Sequence, residues 1–121
     1  MRKILSFIFV VILFCTGLMA QSPDAVELTW TASPSTEILA GYNLYRSEVQ
    51  GGPYEQINAE LITGEVYEDN ALEWNKVYYY VCRAVSTFGI ESVDSNEAVW
   101  TVETPPAPLP PTLLDVKKKV N

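Results

Sequence analysis

The stretch Val77–Ser86, VYYYVCRAVS, admits two opposed interpretations of this chain. Three consecutive tyrosines could stack on a sugar or a base, and Cys82 beside Arg83 could act as a nucleophile with a lowered pKa. If the stretch is a β-strand, however, consecutive side chains point to opposite faces, so Cys82 and Arg83 do not share a surface. We interpret the stretch as a structural strand.

The residues around this stretch also show the two-residue alternation of half-buried strands. Val26, Leu28 and Trp30 fall on one side, with Glu27 and Thr29 on the other. Further strands are predicted at 41–46, 54–58, 65–68 and about 96–102, separated by turn clusters such as 50–53. No helical period follows the first twenty residues. Several short strands between turns predict an all-β sandwich.

With these strands assigned, residues 25–102 resemble a fibronectin type III domain of the bacterial secreted type. The matching motifs are Val-x-Leu-x-Trp at 26–30, Gly-Tyr-x-Leu-Tyr-Arg at 41–46, Gly-Gly-Pro-Tyr at 51–54, and a leucine six residues before Tyr78. The resemblance implies an immunoglobulin-like β-sandwich of about six or seven strands. Only nine residues, 21–29, precede Trp30 in the mature chain, too few for a complete first strand, so that strand is expected to be missing.

The resemblance also implies a set of core residues. In this family the tyrosine six residues after a leucine packs on it and bonds back to nearby backbone, and Tyr78 holds that position. Burial raises the pKa of a thiol, so Cys82 is expected to behave as a small hydrophobic residue. The expected structural core is Trp30, Leu44, Leu72, Tyr78, Tyr80 and Cys82.

The chain divides into three parts. Residues 1–20 begin with Arg2 and Lys3, continue through an apolar run at 4–14 and end at Ala20, which is typical of a secretory signal peptide. An uncleaved anchor is the alternative, but the run is shorter than the ~20 residues of a spanning helix. Residues 21–104 form the domain and 105–121 a proline-rich tail. The mature protein is expected outside the cell, in the periplasm or on the cell surface, without a membrane segment.

Composition argues against several functions. After signal cleavage six basic and fifteen acidic residues remain, a net charge of −9, which disfavours nucleic acid as a partner. The chain has no histidine, phosphate-binding glycine loop or nucleophile elbow. The acidic residues Glu65, Glu68 and Asp69 could hold calcium, but their spacing matches no EF-hand, and a solvated acidic face explains them. We expect no enzyme activity, cofactor or metal.

Exposed aromatic residues are the candidate interaction sites. Phe88 and Ile90 flank Gly89 in the loop before the last strand, where Phe88 either anchors a partner or folds down over the core. Tyr79 belongs to the outward row of its strand. With Tyr45 and Tyr54 it would form the aromatic platform of a glycan-binding accessory domain.

These features predict an exported, non-catalytic protein-interaction or spacer module. The alternative is a carbohydrate-associated accessory domain of a secreted glycan-degrading system. A small hydrolase that depends on one carboxylate, such as Glu68, is a third class.

The tail supports more than one interpretation. Prolines from 105 to 111 favour an extended, stiff spacer. Residues 110–116 also look like the first strand of a following module, and they could pair with the open edge of strand 25–31 in another molecule. A chain truncated from a longer array, with a disordered tail, is the alternative.

Overall fold

The computed structural model describes residues 21–120, so the predicted signal peptide lies outside the described residues. Six strands follow one another along the chain. They are β1 (Val26–Thr29), β2 (Leu39–Ser47), β3 (Glu55–Gln56), β4 (Val66–Asp69), β5 (Val77–Ser86) and β6 (Ala98–Thr101). No helix in the described range is long and apolar enough to cross a membrane.

The strands form two antiparallel sheets. One contains β1 and β4, and the other has the order β3-β2-β5-β6. The core lies between them, where Leu72, Tyr78, Tyr80 and Val102 pack against Val26 and Leu28 of the small sheet. The predicted β-sandwich is confirmed, and no strand precedes β1 in residues 21–25.

The central pairing of the large sheet joins β2 to β5, which is the tyrosine-rich stretch Val77–Ser86. Leu44 lies opposite Cys82, and Tyr45 lies opposite Val81. Because side chains alternate, Leu44 and Cys82 point towards the small sheet, whereas Tyr45 and Val81 point away from it. Leu44, Tyr45 and Val81 are all buried, so both faces of this sheet are covered at its centre.

The six residues expected in the core are not all buried to the same extent. Leu44, Leu72, Tyr78 and Tyr80 are buried, and the Tyr78 hydroxyl accepts a hydrogen bond from the backbone N–H of Glu73 at 3.0 Å. Trp30 and Cys82 are only partly buried, which corrects the expectation that they lie in the core. Both line the gap between β1 and the residues that lead into β6, where a first strand would lie.

An ion pair between a partly buried arginine and a buried aspartate joins the two sheets. Arg46 of β2 donates from Nη1 to both carboxylate oxygens of Asp69 of β4, at 2.8 and 3.0 Å. The Tyr80 hydroxyl donates to the same carboxylate at 2.8 Å, and the Ala71 N–H donates to it at 3.1 Å. The Arg46 guanidinium also lies 5.0 Å from the centre of the Tyr78 ring. Every oxygen of the buried carboxylate therefore has a partner.

Candidate interaction surfaces

The loop between β5 and β6 presents an exposed apolar tip. Phe88 is 78% exposed and Ile90 is 68% exposed, so Phe88 extends into solvent and does not fold down over the core. Ser86 holds the turn, because its hydroxyl accepts from the N–H groups of Phe88 and Ile90 and its own N–H donates to the Ile90 carbonyl. Gly89 at φ 78° allows the reversal. The Ser86 hydroxyl and the backbone of the loop together hold the tip.

A concave site adjoins this tip. It has a volume of about 290 Å³, and Phe88, Ile90, Ile38 and Leu39 line its apolar part. Ser33 and Ser35 lie on its rim. An exposed aromatic side chain beside an apolar hollow is the usual centre of a protein-binding hot spot.

The outer face of the large sheet does not form the expected tyrosine platform. Tyr45 is only 8% exposed, which corrects its assignment as a platform residue. The Arg83 guanidinium lies 4.2 Å from the centre of its ring, and its hydroxyl donates to Glu91 at 2.7 and 2.8 Å. Burial and the Glu91 carboxylate raise the pKa of Tyr45.

The other two platform candidates are half-buried. The Tyr54 hydroxyl donates to Glu97, and this hydrogen bond, with partial burial, raises the pKa of Tyr54 to about 12. Tyr79 lies between Ser47 of β2 and Val99 of β6. Because Tyr45 is buried beneath the Arg83 guanidinium, the three tyrosines do not form one open stacking surface.

A site that the sequence interpretation missed lies where the two ends of the domain meet. Trp74 and Trp100 line a hollow of about 430 Å³ with Pro23, Asp24 and Glu103. Trp100 is 49% exposed, and the Trp74 Nε1 donates to the Gln21 carbonyl at 3.0 Å. By alternation Trp100 belongs to the inward face of β6, so the sequence would place it in the core. It is nevertheless open, and Pro23 and Asp24, which lead into β1, line the same hollow.

The acidic and sulfur-containing groups do not assemble into a reactive site. In residues 21–120 no group of three or more metal-ligating side chains could hold a metal ion. Of the three acidic residues considered for calcium, Asp69 points inward to Arg46, whereas Glu68 is exposed. Burial raises the pKa of the Cys82 thiol to about 11, so the thiolate is scarce at neutral pH.

The fold and these surfaces define a small two-sheet sandwich in which no strand precedes β1 within residues 21–120. The sequence matches no family model. A solved structure of an Fn3-like protein from Clostridium thermocellum is 37% identical, with a TM-score of 0.57. The match covers 74% of this chain and 85% of that one. The chain belongs to the fibronectin type III family.

Short segments of much larger proteins are also similar to this chain. An amylopullulanase of Thermoanaerobacterium thermosulfurigenes is 40% identical over 101 residues, covering 69% of this chain and 5% of that protein. The amylopullulanase of Thermoanaerobacterium saccharolyticum is 40% identical over 74 residues, covering 61% of this chain and 6% of that protein. This chain therefore spans only about a twentieth of these relatives. The fold and this relation to short segments of enzymes support a non-catalytic module.

Proposed function

We propose that this chain is an exported, non-catalytic module that binds a protein partner through its Phe88 tip and uses the proline-rich tail as a spacer. The tip is the observation that carries the proposal. Its two large apolar side chains are exposed beside an apolar hollow, and Ser86 fixes the backbone that presents them. A binding loop of this kind loses little conformational entropy when it binds, because the turn is already ordered.

Crosslinking from the tip tests the proposal. The photoreactive amino acid benzoylphenylalanine replaces Phe88 in one variant and Val99 in a matched variant, in chains produced by the organism that encodes them. Val99 is 61% exposed on the outer face of the large sheet, away from the tip. We expect one discrete adduct after irradiation from position 88 and none from position 99. Equal crosslinking from both positions, or none from position 88, would contradict a partner at the tip.

The second candidate function is that of a carbohydrate-associated accessory domain. It is favoured by the similarity to segments of amylopullulanases and by the hollow that contains Trp74 and Trp100. Asp24 and Glu103 line the same hollow. Indole rings stack on the apolar faces of sugars, and carboxylates accept hydrogen bonds from sugar hydroxyls. This hollow replaces the tyrosine platform as the candidate glycan site.

Affinity electrophoresis separates the two candidates. Native gels contain either pullulan or amylose, the polysaccharides in the relatives' name, and the wild-type chain is compared with Trp100→Ala and Phe88→Ala. If the hollow binds glycan, the wild type and F88A are retarded, and W100A loses at least about tenfold in affinity, the effect of about 1.4 kcal/mol. Unchanged mobility of all three chains would count against the glycan function and leave the protein-binding proposal in place.

A further inference from the structure

One edge of β1 is open. The Trp30 N–H donates to the Glu65 carbonyl at 3.2 Å, on the side where β4 lies. Backbone groups of neighbouring residues in a strand point to opposite edges, so those of Glu27 and Thr29 point away from β4. No other strand in residues 21–120 pairs with β1. This edge therefore presents unpaired donors and acceptors, which are a template for a further strand.

An apolar seam runs beneath this edge. Leu28, Trp30, Cys82 and Ala98 line it, and it contains two hollows of about 190 and 100 Å³. Trp30 is held edge-to-face against Tyr42, with ring centres 5.5 Å apart. Its Nε1 is enclosed, yet it has no hydrogen-bond partner among the described residues. A buried donor without an acceptor costs free energy, so the seam favours an occupant that brings both apolar side chains and an acceptor.

The tail has the composition of such an occupant. Leu113, Leu114 and Val116 are exposed, and residues 102–120 form no strand. As a strand, 112–117 would place Thr112, Leu114 and Val116 on one face and Leu113, Asp115 and Lys117 on the other. If the face with Leu114 and Val116 is buried, no charged side chain is buried with it, whereas the other face would bury Asp115 and Lys117. We therefore expect Leu114 and Val116 to enter the seam.

The charges of the tail and the domain are complementary. Residues 21–104 contain three basic and fourteen acidic side chains, whereas 105–121 contain three basic and one acidic. On the outward face of the small sheet Glu27 lies directly opposite Glu68, an unfavourable pairing of like charges. A strand added beside Glu27 would bring Lys117 to Lys119 close to this acidic face. The association is then expected to weaken as salt is added.

The position of the chain ends favours a second molecule as the donor. Pro23 and Asp24 lie beside Thr101 and Val102, so β1 begins at the end of the sandwich where β6 stops. A tail leaving β6 could follow its own β1 only in the parallel direction, which is the slightly weaker pairing. The proline segment 105–111 spans about 20 Å at ~3.1 Å per residue, which reaches beyond the parent domain. A tail from another copy, entering from the opposite end, can pair antiparallel.

We propose that residues 112–117 of one molecule add to the open edge of β1 in a second molecule, with Leu114 and Val116 in the seam. The contact is head-to-tail and does not close, so it generates chains of molecules rather than a symmetric dimer. It involves neither Phe88 nor the hollow with Trp100, and it leaves the proline segment 105–111 as the spacer, so this contact and the binding at the Phe88 tip can fail separately.

A complementation experiment tests this contact in the chain from Gln21 to Asn121. The double variant L114D/V116D has a defective donor and an intact acceptor. Thr29→Pro has an intact donor and a blocked acceptor, because proline removes the N–H that points to the open edge and leaves the bonds to β4. Light scattering at up to about 100 µM suits an interface of this small size, which binds weakly. Circular dichroism checks that both variants fold.

We expect the wild type to associate with rising concentration, each variant alone to have the mass of one chain, and their mixture to contain a species of two chains. The matched variant Leu113→Asp places its charge on the outward face, where it weakens the attraction to Glu27 and Glu68 but leaves Leu114 and Val116 intact, so it should still associate where L114D/V116D does not. A peptide of residues 109–121 should dissociate the wild-type assemblies, and the same peptide carrying L114D/V116D should not. If T29P does not fold, this peptide competition alone tests whether the tail binds the open edge of β1. A monomeric wild type, or an equal loss of association in L113D and L114D/V116D, would overturn the proposal.

Discussion

Replacement of Arg46 by methionine is expected to lower the free energy of unfolding by about 3–5 kcal/mol. The Asp69 carboxylate is 4% exposed, and Arg46 is the only cation that contacts it within residues 21–120. Methionine keeps much of the side-chain volume but leaves the carboxylate buried without its cation, with only the Tyr80 hydroxyl and the Ala71 N–H as donors. Urea unfolding at pH 7, followed by tryptophan fluorescence, measures the change.

Two further variants show whether the buried pair is the cause. Lys76 pairs with Glu48 at 2.9 Å and with Glu73 on the surface, so Lys76→Met should lower the free energy of unfolding far less than R46M does. The double variant R46M/D69N removes both charges and should recover part of the loss, because the asparagine oxygen still accepts from Tyr80. If R46M is no less stable than K76M, the ion pair does not hold the two sheets together.

The Arg46 side chain itself does not titrate near pH 7. Burial alone would lower the pKa of Arg46, but its hydrogen bond to Asp69 and the charge of that carboxylate outweigh burial, and the net shift is upward. Arginine therefore stays charged from neutral pH into the alkaline range.

Much of the fold follows from local patterns in the sequence. Alternation at 26–30, 41–46 and 77–86 identified the strands because one face of each strand is more apolar than the other. The third strand was predicted at 54–58 but ends at Gln56. Beyond it the Ile57 N–H still donates to the Leu44 carbonyl, but the Asn58 side chain takes the place of a backbone acceptor, since its Oδ1 accepts from the Leu44 N–H at 2.8 Å. A side chain that takes the place of a backbone hydrogen-bond partner leaves no periodic pattern in the sequence.

The candidate sites were harder to predict, because alternation indicates the face of a side chain and not what covers it. Tyr45 lies on the outward face as expected, but Arg83 and Glu91 cover it, and Glu91 is 46 residues away in sequence. Trp100 lies on the inward face, yet it is exposed. The contact between Arg46 and Asp69 also required the packing of the two sheets. In the sequence, Asp69 looked like part of an acidic cluster with Glu68.

Replacement of Leu44 by alanine should lower the free energy of unfolding by about 2–5 kcal/mol. Leu44 is 2% exposed at the centre of β2, and its backbone is fixed on the β3 side by the bonds to Ile57 and Asn58. The strand cannot shift to fill the space that the shorter side chain leaves. Urea unfolding provides the measurement, with Val99→Ala as the matched control, because Val99 is exposed and should lose no more than about 0.5 kcal/mol.

The destabilisation caused by L44A also depends on whether a strand covers the seam beneath β1. Leu44 lines the smaller of the two hollows beneath the open edge of β1. In the single molecule that hollow is open, so water can enter the space left by L44A, and the loss should fall in the lower half of the range. A strand added over the seam closes the space and should raise the loss at protein concentrations where the chains associate. A loss as small as that of V99A would mean that the β2 and β5 pairing is not the centre of the core.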